Sequence, residues 1–475
     1  MELVDRVHKA NRAGSTVVEM VDGFLNSNPQ LTQVGNVCGL TTDFNIEYGI
    51  LNELKRLCSF QQYWIAPNRD MTLDQDQWLA VQGYFNSNLT VLCGSGGSGK
   101  TKVITVIVSE LLTNGIRAKD IALISPLGVI ANKLSTKTGI PAYTVNRLLE
   151  YSPVEGSDSK SNDLMEFTAR RNEFNRLSQT FFIIDESTLL CNELAYALLK
   201  AIPTGARLML AGDIKQLLGV GKGQLFKDLV LLADKAKSLY QLFTLKNNYR
   251  NKDTLIEQFS EYLSNPTCSA EVFFKSLGGP EFIYISTEND EETAELISKK
   301  LQVLKNKNPD LISQVQILSP EHEGAIGTMA LNEEIMKLEA DKKLIGARVM
   351  FKRNNYRKQI FNGQPATIES FTDDKVVLVS GTRSYAFAKN TLWDIVKLAY
   401  VLTPNSCQGA EFSLVVIIIP HKFTHIDRSW LYAGATRAKQ SLVIIGSEQK
   451  LESALLQEAE RNTFLKKLLA SSSWS

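Results

Sequence analysis

A chain of 475 residues exceeds what one ordinary core encloses and implies two to four compact units. Its composition, 44% apolar and 22% charged, is that of a globular chain and excludes disorder over long stretches. The 52 basic and 51 acidic side chains nearly cancel, so bulk charge is silent on partners: a narrow basic track can be balanced by acidic faces elsewhere. Six cysteines (Cys38, Cys58, Cys93, Cys191, Cys268, Cys407) form no CxxC pair, which argues against a structural zinc or a disulfide framework and for the reduced thiols of a cytosol. Met1 to Asp5 lacks the basic-then-apolar pattern of a secretory signal. The longest apolar run, Leu414 to Pro420, is far short of the roughly 20 residues needed to cross a bilayer and reads as a buried strand.

In chain order, residues 1–70 show mixed helical periodicity, as in Ile46 to Leu57, without chemistry that can be named, and read as an N-terminal accessory region. From about Thr72 apolar strands alternate with amphipathic helices. Leu89–Cys93 is a short strand, followed by a glycine loop and a helix from Lys100 to Asn114 that Gly115 caps. Further strands are expected at Ile121–Ile124, Phe181–Ile184 and Arg207–Ala211, an order that implies a parallel sheet covered on both faces. Between Glu150 and Gln179 the text turns polar and reads as an excursion from the sheet, a hairpin or small subdomain.

A second α/β series begins near Leu245, with strands expected at Phe282–Ile285, Val315–Leu318, Leu398–Leu402, Leu414–Ile419 and Ser441–Ile445. Between Gly346 and Thr391 the apolar period drops to two. Ala366–Phe371, Lys375–Val379 and Ser384–Ala388 read as short strands of a small inserted β-barrel.

Gly94-Ser95-Gly96-Gly97-Ser98-Gly99-Lys100-Thr101 fits the phosphate-cradling pattern GxxxxGK[ST] between a strand and a helix. Glycines let successive backbone N–H groups turn inward around a phosphate chain, and the helix N-terminus adds positive potential. Lys100 would reach the outer phosphates, and the Thr101 hydroxyl would ligate Mg²⁺. Phe181 to Ile184 is an apolar strand ending in Asp185 and Glu186, a pair suited to holding the metal and deprotonating an attacking water. A third strand ends at Gly212-Asp213, with the Gln216 amide close behind as a candidate contact to the γ-phosphate or the lytic water. Gln77, just before the first strand, is a candidate reader of an adenine edge. The histidines call for bland readings, since His421 and His425 have no third ligand in view, and Trp393 and Trp430 read as core.

Taken together, GSGGSGKT, FFIIDES, LAGDIKQL, LKNNYR, SCQGAEF and LYAGATRAK resemble the ordered signature of superfamily 1 helicases, most closely the RecD-like and Dda-like branch, from about Thr72 to Gly446. The resemblance implies two RecA-like parallel-sheet motor domains, with ATP and Mg²⁺ bound in the cleft between them. The first would span residues 71–243, with a duplex-splitting wedge at 152–179. The second would span 244–345 and 392–475, with an SH3-like β-barrel inserted at 346–391. It implies that Arg250 and Arg437 act as arginine fingers, planar and permanently charged donors to the transferring phosphoryl group. Glu411, in Gln408-Gly409-Ala410-Glu411, becomes a candidate ribose contact. The nucleic-acid track would use Ser125, Pro126 and Asn146 on the first domain and Thr403, Asn405 and Ser406 on the second.

The sequence departs from the branch where Asn146 replaces a frequent histidine, where Asn405-Ser406 replaces His-Lys, and where Leu218-Gly219 replaces a proline pair. These changes touch the strand track and the coupling loop rather than the phosphate site. The implied activity is 5′→3′ translocation on single-stranded DNA with duplex unwinding, by a monomeric motor in a bacterial or phage-infected cytoplasm, together with replication or recombination proteins and no membrane. Two alternatives stand beside it: a helicase of this fold acting on RNA, and a nucleic-acid-binding module with a relic nucleotide site.

Overall fold

The computed structural model describes residues 2–20, 28–59, 66–153, 167–249, 254–264, 281–307, 314–338, 344–422, 426–458 and 460–471, with positions 266, 273, 279 and 312. The chain divides into two compact units. One comprises Met1–Ile214, Leu218–Tyr249 and Glu460–Ser475, and the other Lys215–Leu217 and Arg250–Ala459.

The first unit is built on a six-stranded sheet in the order Gln241–Leu245, Leu89–Gly94, Arg207–Gly212, Phe181–Ile184, Ile121–Ser125 and Ala142–Thr144, with every neighbouring pair parallel. The four central strands are buried along their whole length, because helices cover both faces. Alternate residues feed two cores. Leu92, Leu123, Ile183 and Met209 face Trp78, Val81 and Tyr84 of the helix Gln75–Asn86 and Val103, Ile104 and Ile107 of the helix Lys100–Thr113. Val91, Ile124, Ile184 and Leu210 face the opposite way.

That opposite face is covered by residues expected to lie elsewhere. The helix Thr41–Cys58 buries Ile50, Leu51, Leu54 and Leu57, an apolar stripe at helical spacing, in the core of the motor sheet. The segment 1–70 is therefore not merely appended, since part of it forms a layer of this unit. Ahead of that helix, an antiparallel three-stranded sheet orders Val17–Glu19, Val37–Leu40 and Leu31–Val34 beside the helix Glu2–Arg12. The last helix, Phe464–Ser471, inserts Leu465 and Leu469 into the same core and Phe464 between Val17 and Val37. This corrects the assignment of the chain's end to the second domain, because these three apolar residues complete the first unit.

The polar excursion begins as a two-stranded antiparallel stem, Tyr151–Pro153 against Phe167–Ala169, and residues 154–166 lie outside the described residues.

The second unit holds a parallel sheet in the order Phe282–Ser286, Ala438–Gly446, Phe412–Ile419, Val315–Leu318 and Val401–Leu402. An antiparallel sheet follows the order Arg383–Ala388, Lys375–Ser380, Pro365–Phe371, Arg348–Phe351 and Val396–Leu398. Its period-two pattern buries Ile368, Val376 and Leu378 over Val349 and Phe351. The expected single strand Leu398–Leu402 is split between the two sheets. Asn332 makes the break possible, because its Oδ1 accepts from the backbone N–H groups of both Tyr400 and Val401 at 3.0 Å. No described helix is long and apolar enough to cross a membrane.

Candidate functional site

Parallel strands bring their C-terminal ends to one edge of a sheet, where loops and helix N-termini converge on a ligand. In the first unit the strand register aligns Gly94 with Leu245 and Cys93 with Gly212 at that edge, while Ile184, just before Asp185, pairs with Ile124. The glycine loop leaves the sheet at Gly94. Gly97 and Gly99 take φ values of 93° and 92°, a left-handed conformation that side chains disfavour, and Gly99 caps the helix that begins at Lys100. A Cβ at Gly99 would stand 2.3 Å from Gln77 Nε2, so the loop has no room for one.

Lys100 is buried, and its ammonium donates to the carbonyls of Gly94 at 2.6 Å and Ser95 at 3.1 Å. Thr101 follows on the first turn. The Ser98 hydroxyl is buried inside the loop without a hydrogen-bond partner. Across from the loop, Asp185 is anchored by its backbone N–H to the Ile124 carbonyl at 2.9 Å. Burial pushes its carboxyl above the usual range, and the Lys100 charge opposes that shift. Glu186 follows at φ 55°, left-handed backbone at a non-glycine residue, and its N–H donates to Asp185 Oδ1 at 3.0 Å. A kinked backbone, a buried cation and a buried carboxylate stand at one sheet edge beside a helix N-terminus. This donor set fits a nucleotide triphosphate with a divalent cation.

Gln77 is tied to the glycine loop. It closes a capping box with Asp74, Oδ1 of which accepts from Gln77 N–H at 2.7 Å, and Gln77 Nε2 donates to the Ser98 carbonyl at 3.1 Å. The other Asp74 oxygen accepts from Asn247 Nδ2 at 3.1 Å and from the Tyr249 hydroxyl, while Tyr249 N–H donates to the Gly97 carbonyl at 3.0 Å. Burial works to raise the Asp74 carboxyl, yet these donors hold it below its ordinary value. Asp74 and Tyr249 were missed as site residues. The spacing of Asp74 and Gln77 is a capping-box signal, but nothing in the sequence links it to the Asn-Asn-Tyr segment.

Other expected residues are placed as follows. Asp213 is buried, and its backbone is clamped by the Thr188 hydroxyl at 3.1 Å on both sides. Gln216 is buried and belongs to the second unit. Ser125 is fully buried at its strand end, where its hydroxyl supports the turn through Pro126, and Asn146 is exposed on the short helix Val145–Leu148. Arg250 lies outside the described residues, as does His425. His421 contacts the Thr287 hydroxyl at 3.1 Å, and no metal-binding group of acidic, histidine or cysteine side chains occurs among the described residues.

In the second unit Thr403 caps a turn of 3-10 helix, Pro404–Cys407, and its hydroxyl pairs with Ser406 at 2.9 Å, leaving Asn405 exposed. Arg437 is buried and donates to the carbonyls of Ala433 at 3.1 Å and Ala410 at 3.3 Å. It thereby fixes the loop that carries Glu411, which pairs with Lys439 at 3.1 Å. Trp430 is core as expected, but Trp393 is 46% exposed, which corrects its assignment to a core. It sits at the start of a four-residue helix, too short to cover its own ring.

A family model for an AAA domain matches residues 72–275, and one for a UvrD-like helicase C-terminal domain matches residues 398–445. The RecBCD enzyme subunit RecD of Mycolicibacterium smegmatis is 22% identical over 432 residues, covering 83% of this chain and 75% of that protein. The ATP-dependent RecD2 DNA helicase of Deinococcus radiodurans is 25% identical over 425 residues, covering 85% of this chain and 53% of the relative. A crystal structure of Pif1 helicase from Bacteroides with ADP-AlF3 and ssDNA aligns at 17% identity and a TM-score of 0.47, over 82% of this chain and 95% of that one. With the two matched domains in this order and RecD proteins aligning over most of its length, the chain resembles the RecD-like superfamily 1 helicases.

Proposed function

We propose that this protein is an ATP-dependent DNA helicase that moves 5′→3′ along single-stranded DNA and unwinds the duplex it meets. The observation that carries the reading is the convergence of Lys100, Thr101, Asp185 and Glu186 at one edge of a parallel sheet. ATP with Mg²⁺ supplies the free energy of stepping. Lys100 holds the outer phosphates, with Gly94, Ser95, Gly96, Gly97, Ser98 and Gly99 as their cradle. Thr101 and Asp185 would hold the cation, which would neutralise phosphate charge, and Glu186 is the carboxylate that would take the proton of the attacking water. Tyr249, 56% exposed and tied to Gly97, offers a ring face beside the loop for the base that Gln77 would flank. By the family resemblance, Gln216, Arg250 and Arg437 would act on the transferring phosphoryl group, and Glu411 on the ribose.

In the same reading the two parallel sheets are RecA-like motors, the antiparallel five-stranded sheet is an SH3-like barrel, and the stem at Tyr151–Ala169 carries a strand-separating wedge. Ser125, Pro126, Asn146, Thr403, Asn405 and Ser406 follow the sugar-phosphate chain, through contacts that suit stepping along any sequence. The working partners are single strands and duplex junctions, in a cytoplasm, with replication or recombination proteins alongside. Steady-state ATP hydrolysis with and without oligo(dT), and unwinding of duplexes bearing a 5′ or a 3′ tail, test the proposal. Stimulation by the oligonucleotide and unwinding from the 5′ tail are expected, and unwinding confined to the 3′ tail would refute the polarity.

A further inference from the structure

Within the second unit a cavity of about 540 Å³ opens between the helix Thr328–Leu338, the strand end Val401–Leu402 and the antiparallel sheet. Its floor is stitched shut by Asn332, which donates to the carbonyls of Thr328 at 2.6 Å and Val401 at 2.8 Å while accepting from Tyr400 and Val401. Its rim differs in chemistry. Trp393 and Met329 are 46% and 61% exposed and both line this cavity, which places two large apolar side chains at its rim. His322 stands beside them, with Nδ1 on the Thr328 hydroxyl at 3.0 Å.

Among the described residues, two ammonium groups, Lys352 and Lys397, line the same cavity, against one carboxylate, the exposed Glu333. Lys397 is half-buried. Burial first, and the Lys352 charge second, lower its pKa, so the two cations share one field. Lys352 donates one hydrogen bond to the Trp393 carbonyl, which leaves further donors on the same ammonium and fixes it beside the tryptophan. Thr403, one of the expected contacts to the nucleic-acid chain, closes the cavity on the side of the parallel sheet. The site therefore combines an aromatic face, paired cations and a hydroxyl, within a volume usual for clefts that enclose a small ligand.

We propose that this cavity takes one nucleotide of a bound single strand, with its base against Trp393 and Met329 and its phosphate between Lys352 and Lys397, so that the strand passing Thr403 is gripped by the second unit through a base as well as its backbone. The inference rests on the nucleic-acid reading above and adds a site to it. Aromatic stacking suits a motor, because every base has a π-face and the grip carries no sequence preference. The cations explain why the occupant is a nucleotide rather than a neutral apolar group.

The test uses the full chain and fluorescein-labelled oligo(dT), titrated by anisotropy at several salt concentrations. Trp393→Ala should weaken binding about tenfold, and Trp393→Phe, which keeps a ring, should restore most of it. Lys352→Ala with Lys397→Ala should make the plot of log affinity against log salt shallower by about one counterion. A 2-aminopurine scanned along the strand should report one position whose fluorescence changes in the wild type and not in Trp393→Ala. If wild type and Trp393→Ala bind oligo(dT) equally, with one salt slope and one fluorescence profile, the cavity proposal is overturned and the helicase reading survives. If the wild-type chain hydrolyses ATP yet binds no oligonucleotide, the nucleic-acid reading itself fails and takes this site with it.

Discussion

Arg461 donates to the Gly223 carbonyl at 2.8 Å, tying the last segment of the chain to the turn that follows Gln216 and Leu217. A second bond reaches the Gly219 carbonyl at 3.0 Å, and Gln224 Nε2 donates to the Arg461 carbonyl at 2.8 Å. Burial lowers the pKa of this guanidinium, yet it remains a cation whose fork matches two backbone acceptors. Arg461→Ala should lower the stability of the first unit by about 2–3 kcal/mol, the cost of leaving half-buried carbonyls without charged donors. Urea unfolding followed by far-ultraviolet circular dichroism measures it. Arg461→Lys should recover only part, because an ammonium cannot span both oxygens.

Close to that turn lie two buried carboxylates, Glu47 and Asp228, whose protonation makes stability depend on pH. Glu47 accepts from Asn192 Nδ2 at 2.8 Å and from Leu465 N–H, while Asp43 pairs with Lys222 at 2.8 Å. Asp228 accepts from Thr463 at 2.6 Å and from Gln224 at 2.9 Å. Burial pushes Glu47 up to about 8 and Asp228 up to about 7, from ordinary values of 4.5 and 3.8. Between these limits the folded chain holds protons that the unfolded chain has released. The stability contributed by both groups is therefore full below about pH 4 and is lost as pH rises through 7 and 8. The melting temperature should fall between pH 6 and pH 9, and Glu47→Gln should flatten that decline. A melting temperature that rises over the same interval, or an unchanged slope in the variant, would remove Glu47 from the account.

Asp74 serves two ends at once, since one oxygen caps the helix Gln75–Asn86 and the other holds Asn247 and Tyr249 beside the glycine loop. Asp74→Ala should cost about 1 kcal/mol as a lost helix cap. It should also raise the KM for ATP several-fold while changing kcat less, because the residue steadies the segment at Tyr249 without touching the phosphate oxygens. Asp74→Asn, which keeps the cap acceptor, separates the two effects. An equal loss of kcat and kcat/KM in Asp74→Asn would argue instead for a role in the chemical step.

The parts of the fold legible in the sequence were those with an internal period or a steric necessity. Phe181–Ile184 reads as a strand because four consecutive apolar residues had no other solution between turns, Val315–Leu318 because three of its four residues are apolar and β-compatible, and both occupy those bounds. The glycine loop was legible because only glycine tolerates the backbone at positions 97 and 99. Ala142–Thr144 and Gln241–Leu245 were not, being a three-residue edge strand and a strand with exposed positions, neither of which carries a clear pattern. The split at Ala399 and Tyr400 depends on the Asn332 side chain some seventy positions away in sequence, and no local signal records it. The core position of Leu465 and Leu469 is equally non-local. Trp393 was misread because composition assigns tryptophan to interiors, whereas a helix of four residues left this ring at a cavity mouth.

Glu186 gives the sharpest separation between holding a nucleotide and cleaving it. Its backbone at φ 55° is a conformation that a non-glycine residue adopts at some cost, retained where the surrounding strand and the Asp185 hydrogen bond impose it. Glu186→Gln keeps the shape and the backbone while removing the base, so turnover should fall about 10²- to 10⁴-fold with nucleotide affinity nearly unchanged. Lys100→Ala should also abolish turnover, but by losing the grip on the phosphates, and a fluorescent ATP analogue titrated against both variants tells them apart. Binding should survive in Glu186→Gln and be weakened at least about tenfold in Lys100→Ala. If Glu186→Gln turned over ATP within about threefold of the wild type, the proton would have another acceptor, and the carboxylate at this kinked strand end would be structural.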